Sequence, residues 1–174
     1  MKTSEIYLAA GCFWGAQRFF DLVCGVESTE VGYANGFVQN PSYKAVKAGG
    51  TGYAETVRLS YDKSVISLAE ILELYFKIID PVSLNRQGGD IGEQYRTGIF
   101  YTDDGDLRVI NPIVERVAME HSEPLAVQVL PLEIFYTAEE YHQKYLEKNP
   151  GGYCHITPAM LKLAREYLPK VGKA

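Results

Sequence analysis

Five residues near the N-terminus, Gly11-Cys12-Phe13-Trp14-Gly15, set the first cysteine of the chain beside its only tryptophan. The apolar run at 6–10 reads as a buried strand, Gly11 permits a sharp turn, and 13–22 carry apolar residues at helical spacing. Cys12 is therefore expected at the mouth of a helix. Unpaired backbone N–H groups and the positive end of the helix dipole favour an anion there, which lowers a thiol's pKa and raises the thiolate fraction. That placement would give a nucleophilic sulfur against an aromatic wall. The same five residues also suit a small buried cysteine packing the end of a strand.

Other candidate groups lie far from Cys12 in sequence. Gly49-Gly50-Thr51-Gly52 follows a helix candidate and precedes a strand, the reverse of a phosphate loop, so it reads as a turn. Behind it, Tyr53-Ala54-Glu55 delivers a carboxyl to the entrance of a strand, where it can be aimed into a cleft or left in solvent. The segment 87–96, with three glycines, Asp90, Gln94 and Tyr95, makes a hydrogen-bonding loop able to line a polar pocket, or an ordinary tight turn. Of 13 tyrosines, Tyr33, Tyr43 and Tyr95 are flanked by Gly, Asn, Pro or Gln and are the ones suspected of donating into a site. Cys154 stands in a Gly-Gly-Tyr-Cys segment and is suited to resolving an oxidised partner, or is a plain tail thiol. Cys24 reads as a packing residue. Three scattered cysteines make no disulfide framework, and no C-x-x-C or H-x-x-x-H spacing suggests zinc.

These groups need elements to position them. Strands are expected at 26–34, 55–61, 96–101 and, once or twice, within 126–136; helices at 42–48, 106–121 despite Pro112, and 158–168. The strongest helix follows Ser67, whose capping box with Glu70 opens the stripe Leu68, Ile71, Leu72, Tyr75, Phe76, Ile79. Thr137 with Glu140 suggests a second capping box, opening a helix that ends near Asn149-Pro150. Residues 82–95 form a loop long enough to suggest function. The alternation of strands and helices suits a parallel doubly wound sheet, and a two-layer α+β sandwich equally. The length of 174 residues fits one domain, 1–174, with 149–174 a flexible tail. The 47% hydrophobic and 22% charged content excludes disordered and fibrous classes, and a net charge of −5 argues against nucleic-acid or anionic-membrane partners. Without a long apolar stretch, the expected location is the cytosol.

Taken in order, eight segments resemble the A-type peptide methionine sulfoxide reductases: 11–15, 32–36, 40–43, 51–55, 61–62, 80–81, 85–96 and 149–154. The resemblance spans about nine tenths of the chain, and its motifs together are too specific for chance. It implies a monomeric α+β domain, a two-layer sandwich with a ferredoxin-like core, a mixed sheet and an irregular C-terminal tail. It implies reduction of the S epimer of methionine sulfoxide, in proteins or as the free amino acid, with thioredoxin as reductant and no cofactor or metal. Carried over by position, Cys12 matches the nucleophile, Phe13 and Trp14 the pocket for the S-methyl group, and Glu55 the acid. Tyr43 and Tyr95 match donors to the sulfoxide oxygen, Asp90 a residue organising the same site, and Cys154 the cysteine that closes a Cys12–Cys154 disulfide. Asn35 stands where many relatives carry glycine.

The implied chemistry makes a demand on Glu55. Oxygen leaves a sulfoxide poorly, so attack by the Cys12 thiolate on sulfur requires protonation of that oxygen, and Glu55 must arrive protonated. Enclosure by aromatic walls and a nearby like charge raise a carboxyl's pKa and meet that demand. A thiol peroxidase would share the reactive and resolving cysteines, but a peroxide has no methyl group to set against Phe13-Trp14. A non-enzymatic module binding methionine-rich peptides would have no use for Cys154.

Overall fold

The computed structural model describes residues 2–153 and 155–171. Its centre is a six-stranded sheet built from β1 (Thr3–Ala10), β2 (Val26–Ala34), β3 (Ala54–Asp62), β6 (Thr97–Tyr101), β7 (Gln128–Pro131) and β8 (Phe135–Thr137). Strands β4 (Arg86–Gln87) and β5 (Asp90–Ile91) form a separate short hairpin. The order in the large sheet is β7-β6-β1-β3-β2-β8, antiparallel except for the β6–β7 pair. The four central strands, with helices α1 (Phe13–Asp21) and α3 (Leu68–Lys77) between them in the chain, give the ferredoxin-like βαββαβ arrangement. The fold is thus α+β with a mixed sheet, and the doubly wound parallel alternative is set aside.

Alternation along the strands decides which face holds what. Ile6, Leu8 and Ala10 of β1 and Val57, Leu59 and Tyr61 of β3 join the main core with Phe13, Ala16, Phe19 and Phe20 of α1 and Ile71, Leu72 and Tyr75 of α3. Tyr7, Ala9, Ala54 and Phe100 point to the other face, under Leu132 and Phe135. Glu55 shares the parity of Val57 and Leu59, so period-two geometry turns its carboxyl toward the helix-bearing core.

Several local expectations meet their physical reasons. The Ser67–Glu70 capping box is present, and the other oxygen of Glu70 accepts bonds from Tyr167 Oη and the Lys170 N–H, tying the C-terminal segment to α3. Such a cap stabilises a helix by about 1 kcal/mol. Helices α2 (Tyr43–Ala48), α4 (Leu107–Met119) and α6 (Pro158–Glu166) also form, α4 accommodating Pro112. Asn35 takes a left-handed φ of 55°, a conformation glycine adopts without strain and asparagine tolerates, and its amide bonds Glu133 and Pro131.

Two readings are corrected. Thr137 caps no helix: it ends β8, and its hydroxyl bonds Glu30. The chain beyond is broken into a 3-10 turn, Glu140–His142, and the single turn α5 (Tyr145–Lys148). The Gln143 side chain pairs with both backbone groups of Val31, and Lys144 takes a left-handed φ of 56°, so a continuous helix is interrupted by attachment to β2. Cys24, read as a packing residue, is exposed.

Candidate active site

Cys12 occupies the N-cap of α1 and is buried, with 7% of its surface exposed. Gly11 before it has φ +78°, and a Cβ there would lie 2.6 Å from Cβ of Gln87, so both conformation and space call for glycine. Gln87 is itself fixed, its side-chain amide exchanging hydrogen bonds of 2.8 and 2.9 Å with the backbone of Asp80. The turn that aims Cys12 is therefore braced against the loop that carries Asp90.

One residue on, the first amide of α1, the N–H of Phe13, donates to Glu55 Oε1 at 3.2 Å. Glu55 is 2% exposed. Burial disfavours its charged form and lifts its pKa to about 8; the Phe13 N–H works against the rise, Asp90 adds to it, and Lys47 opposes it. At neutral pH the carboxyl is mostly protonated. Tyr43 opens α2 and is pushed up to about 12 by burial, then by Glu55 and Cys12. Tyr95 ends the 3-10 turn Glu93–Tyr95, and its pKa is raised by burial, Glu55, Tyr43, Asp90 and Cys12. Both phenols therefore stay protonated and able to donate. Asp90 is raised by burial, with His155 opposing, and its Oδ2 is buried without a hydrogen-bond partner among the described residues. Mutual electrostatic influence thus joins Cys12, Tyr43, Glu55, Asp90 and Tyr95 in one locality.

On the other side, Phe13 is buried and Trp14 partly so, each packed against rings from the 142–145 segment. Trp14 Nε1 donates to His142 Nδ1 at 2.9 Å, and the indole stacks on Tyr145 with centroids 3.8 Å apart and planes 11° from parallel. His142 is fully buried and also meets Phe13 at 5.3 Å and Tyr43 at 4.3 Å. Burial depresses its pKa, with Glu139 opposing, so the ring stays neutral and Nδ1 remains an acceptor for the indole. Glu139 accepts from Tyr33 Oη at 2.8 Å and from the Tyr43 N–H at 3.0 Å. Tyr33 therefore supports the site from Glu139, whereas Tyr43 and Tyr95 stand near the acid.

The family model described as "Peptide methionine sulfoxide reductase" matches residues 4–170. The chain belongs to the peptide methionine sulfoxide reductase family. It is 56% identical over 151 residues to peptide methionine sulfoxide reductase MsrA of Lachnoclostridium phytofermentans, covering 87% of this chain and 91% of that one. The reduced form of Mxr1 from Saccharomyces cerevisiae superposes with a TM-score of 0.84 at 39% identity, over 97% of this chain and 93% of that one. Mxr1 in complex with Trx2 gives 0.59 at 27% identity, over 83% and 85%. The reductase is thus an A-type, methionine sulfoxide-reducing enzyme by family.

Within the reductase, seven of the eight residues singled out from sequence fall around the α1 N-terminus, and Cys154 lies outside the described residues. Its neighbours are placed: Ile156 is buried in the main core, and His155 lies 3.5 Å from where a Cβ on Gly11 would be. Sequence reasoning missed His142, Tyr145 and Glu139. The rings of Tyr141, His142 and Tyr145 were the available signal, and they lie in a stretch that the Thr137–Glu140 pair marks as a helix.

Proposed function

We propose that the reductase acts on the S epimer of methionine sulfoxide, free or within proteins, with Cys12 as nucleophile and Glu55 as acid. The observation that carries this reading is a buried carboxyl, protonated at neutral pH, bonded to the first amide of the helix that begins at Cys12. The substrate's S-methyl group packs against Phe13 and Trp14, where sulfur–aromatic contact contributes about 0.3–1.5 kcal/mol beyond area. Tyr43 and Tyr95 donate to the sulfoxide oxygen, and Asp90 organises the same polar wall.

The Cys12 thiolate attacks the sulfoxide sulfur as Glu55 passes its proton to the oxygen. The S–O bond to the substrate then breaks, the hydroxide bonds to Cys12 sulfur, and the new Cys12–substrate S–S bond breaks with its electron pair left on the substrate sulfur, which leaves methionine and a Cys12 sulfenic acid. The Cys154 thiolate then attacks Cys12 sulfur; the disulfide forms, and the departing hydroxide takes a proton to become water. A thioredoxin dithiol reopens the Cys12–Cys154 disulfide by exchange, being oxidised in turn. The yeast Mxr1 complex with Trx2 supports thioredoxin as this reductant. We further assign 1–174 to one catalytic domain, monomeric and cytosolic, with 149–174 delivering the resolving cysteine. No helix among the described residues is long and apolar enough to cross a membrane.

The test is incubation with racemic methionine sulfoxide and dithiothreitol, followed by resolution of the epimers. Loss of the S epimer alone, abolished in Cys12→Ser, is the expected result; loss of neither, or of both equally, overturns the reading. With thioredoxin as reductant, Cys154→Ser should stop after about one methionine per enzyme but continue with dithiothreitol, which reduces a sulfenic acid directly.

A further inference from the structure

The three groups assigned to the sulfoxide oxygen come from separate pieces of chain: Tyr43 from α2, Glu55 from the start of β3, and Tyr95 from the 3-10 turn after β5. One short segment holds the three together. Glu93 Oε1 accepts the N–H of Gly50 at 2.6 Å and the N–H of Gly52 at 3.2 Å. Gln94 donates to the carbonyl of Lys47 in the last turn of α2. Arg96 donates to the carbonyl of Gly52 at 2.9 Å and to that of Glu93 at 3.1 Å. Residues on both sides of Tyr95 thus grip the loop that runs from the end of α2 to Glu55.

The loop offers itself to a carboxylate for a conformational reason. Gly50 and Gly52 have φ of +82° and +76°, which turns their N–H groups toward a common oxygen, as in the anion-binding nests of successive amides. Gly50 has open space around its Cβ position, so its glycine answers to backbone conformation alone. The charge has a second use: burial disfavours the Arg96 cation, and Glu93 is the group that offsets this.

We propose that Glu93 is a positioning residue for sulfoxide reduction, fixing the Glu55 loop against the turn that bears Tyr95 so that acid and phenol meet the same oxygen. This rests on the function proposed above. Reacting groups displaced by about 1 Å can cost about a hundred-fold in rate, so the effect of loosening the clamp falls on the chemical step. The rings assigned to the methyl group, Phe13 and Trp14, lie on α1 and are backed by the 142–145 segment, and the hydrogen bonds of the clamp reach neither piece.

The test is single-turnover methionine release by the full chain across sulfoxide concentrations, for Glu93→Ala, Glu93→Gln and Glu93→Asp. Glu93→Ala should lower the limiting rate about ten-fold while leaving the half-saturating concentration within about two-fold. Glu93→Gln keeps an acceptor for the two amides and should recover most of that rate. Should the alanine variant not fold, Glu93→Asp carries the test, since its shorter side chain cannot span both amides and should be slower than Glu93→Gln. The proposal is overturned by a parental rate in Glu93→Ala, by a glutamine variant as slow as the alanine one, by a half-saturating concentration that rises as the rate falls, or by Glu93→Asp matching the parent. An inactive parent would sink the functional reading itself; an active parent with unaffected variants sinks only the role of Glu93.

Discussion

The apolar and polar walls of the site are assembled in opposite ways. Phe13, Trp14, His142 and Tyr145 come from two pieces of chain packed ring against ring, and the one polar bond among them, from Trp14 to His142, fixes the indole. Glu55, Tyr43, Tyr95 and Asp90 come from four pieces of chain, and what they share is burial that disfavours the charged form of each and raises its pKa, enough to keep Glu55 and the two phenols protonated near neutral pH. The apolar wall is stabilised by contact of its own rings with one another. On the polar wall, a carboxyl turned into the core at 2% exposure is unfavourable as an anion, and this is what leaves it with a proton to give near pH 7. One wall should therefore govern substrate affinity and the other the rate of the chemical step.

The largest expected effect tests that division directly. Glu55→Gln keeps the shape and removes the transferable proton, so the limiting rate of methionine release should fall by roughly 10²–10⁴-fold, the usual worth of a positioned acid. The half-saturating sulfoxide concentration should hardly move. If it rises in proportion to the lost rate, the polar wall is a binding wall and the division fails.

A pH profile comes next in size. With Glu55 needed protonated and its pKa near 8, release should slow as pH rises through 8, by about ten-fold per unit beyond it, and this fall should vanish in Glu55→Gln. The sign for stability is the same. A folded-state pKa above the unfolded value of 4.5 means the protonated form is the one the fold favours, so this contribution is complete below 4.5 and is lost as pH rises through about 8. The melting temperature of the parent should accordingly drop between pH 7 and 9 by more than that of Glu55→Gln.

On the apolar wall, Trp14→Ala should raise the half-saturating concentration by on the order of ten- to a hundred-fold, the range given by losing one large side chain's burial, about 1.5–3 kcal/mol. Its limiting rate should fall far less. A variant slowed in chemistry with unchanged affinity would assign the indole to the polar wall's work.

The polar wall was the more legible of the two in sequence, for a reason that lies in backbone geometry. Glu55 stands at the start of β3, and the turn glycines before it and around Asp90 mark where chain must bend near a site. The ferredoxin-like core needed the resemblance, because alternation of strands and helices does not tell parallel from antiparallel pairing. The supporting half of the apolar wall was not legible. His142 and Tyr145 lie where the sequence carries a helix-like pattern and a convincing capping pair at Thr137 and Glu140, but the long-range bonds of Gln143 to Val31 and of Lys144 to Gln17 and Asp21 override that local preference. A side chain that takes over the hydrogen bonding of a distant strand leaves little trace in a local window.

Tyr145 gives the smallest effect and the finest test. Its ring lies flat on Trp14, while the His142 bond holds the indole from its edge, so the two supports can be separated. Tyr145→Leu removes the stack and leaves the bond. A stacked aromatic pair contributes about 0.5–1.5 kcal/mol beyond area, and leucine restores part of the buried surface, so affinity for sulfoxide should weaken by about three-fold with the limiting rate unchanged. An effect as large as that of Trp14→Ala would mean that the stack, rather than the histidine bond, fixes the indole. No effect at all would mean that the bond alone suffices, leaving Tyr145 as a cover over the outer side of a wall already set.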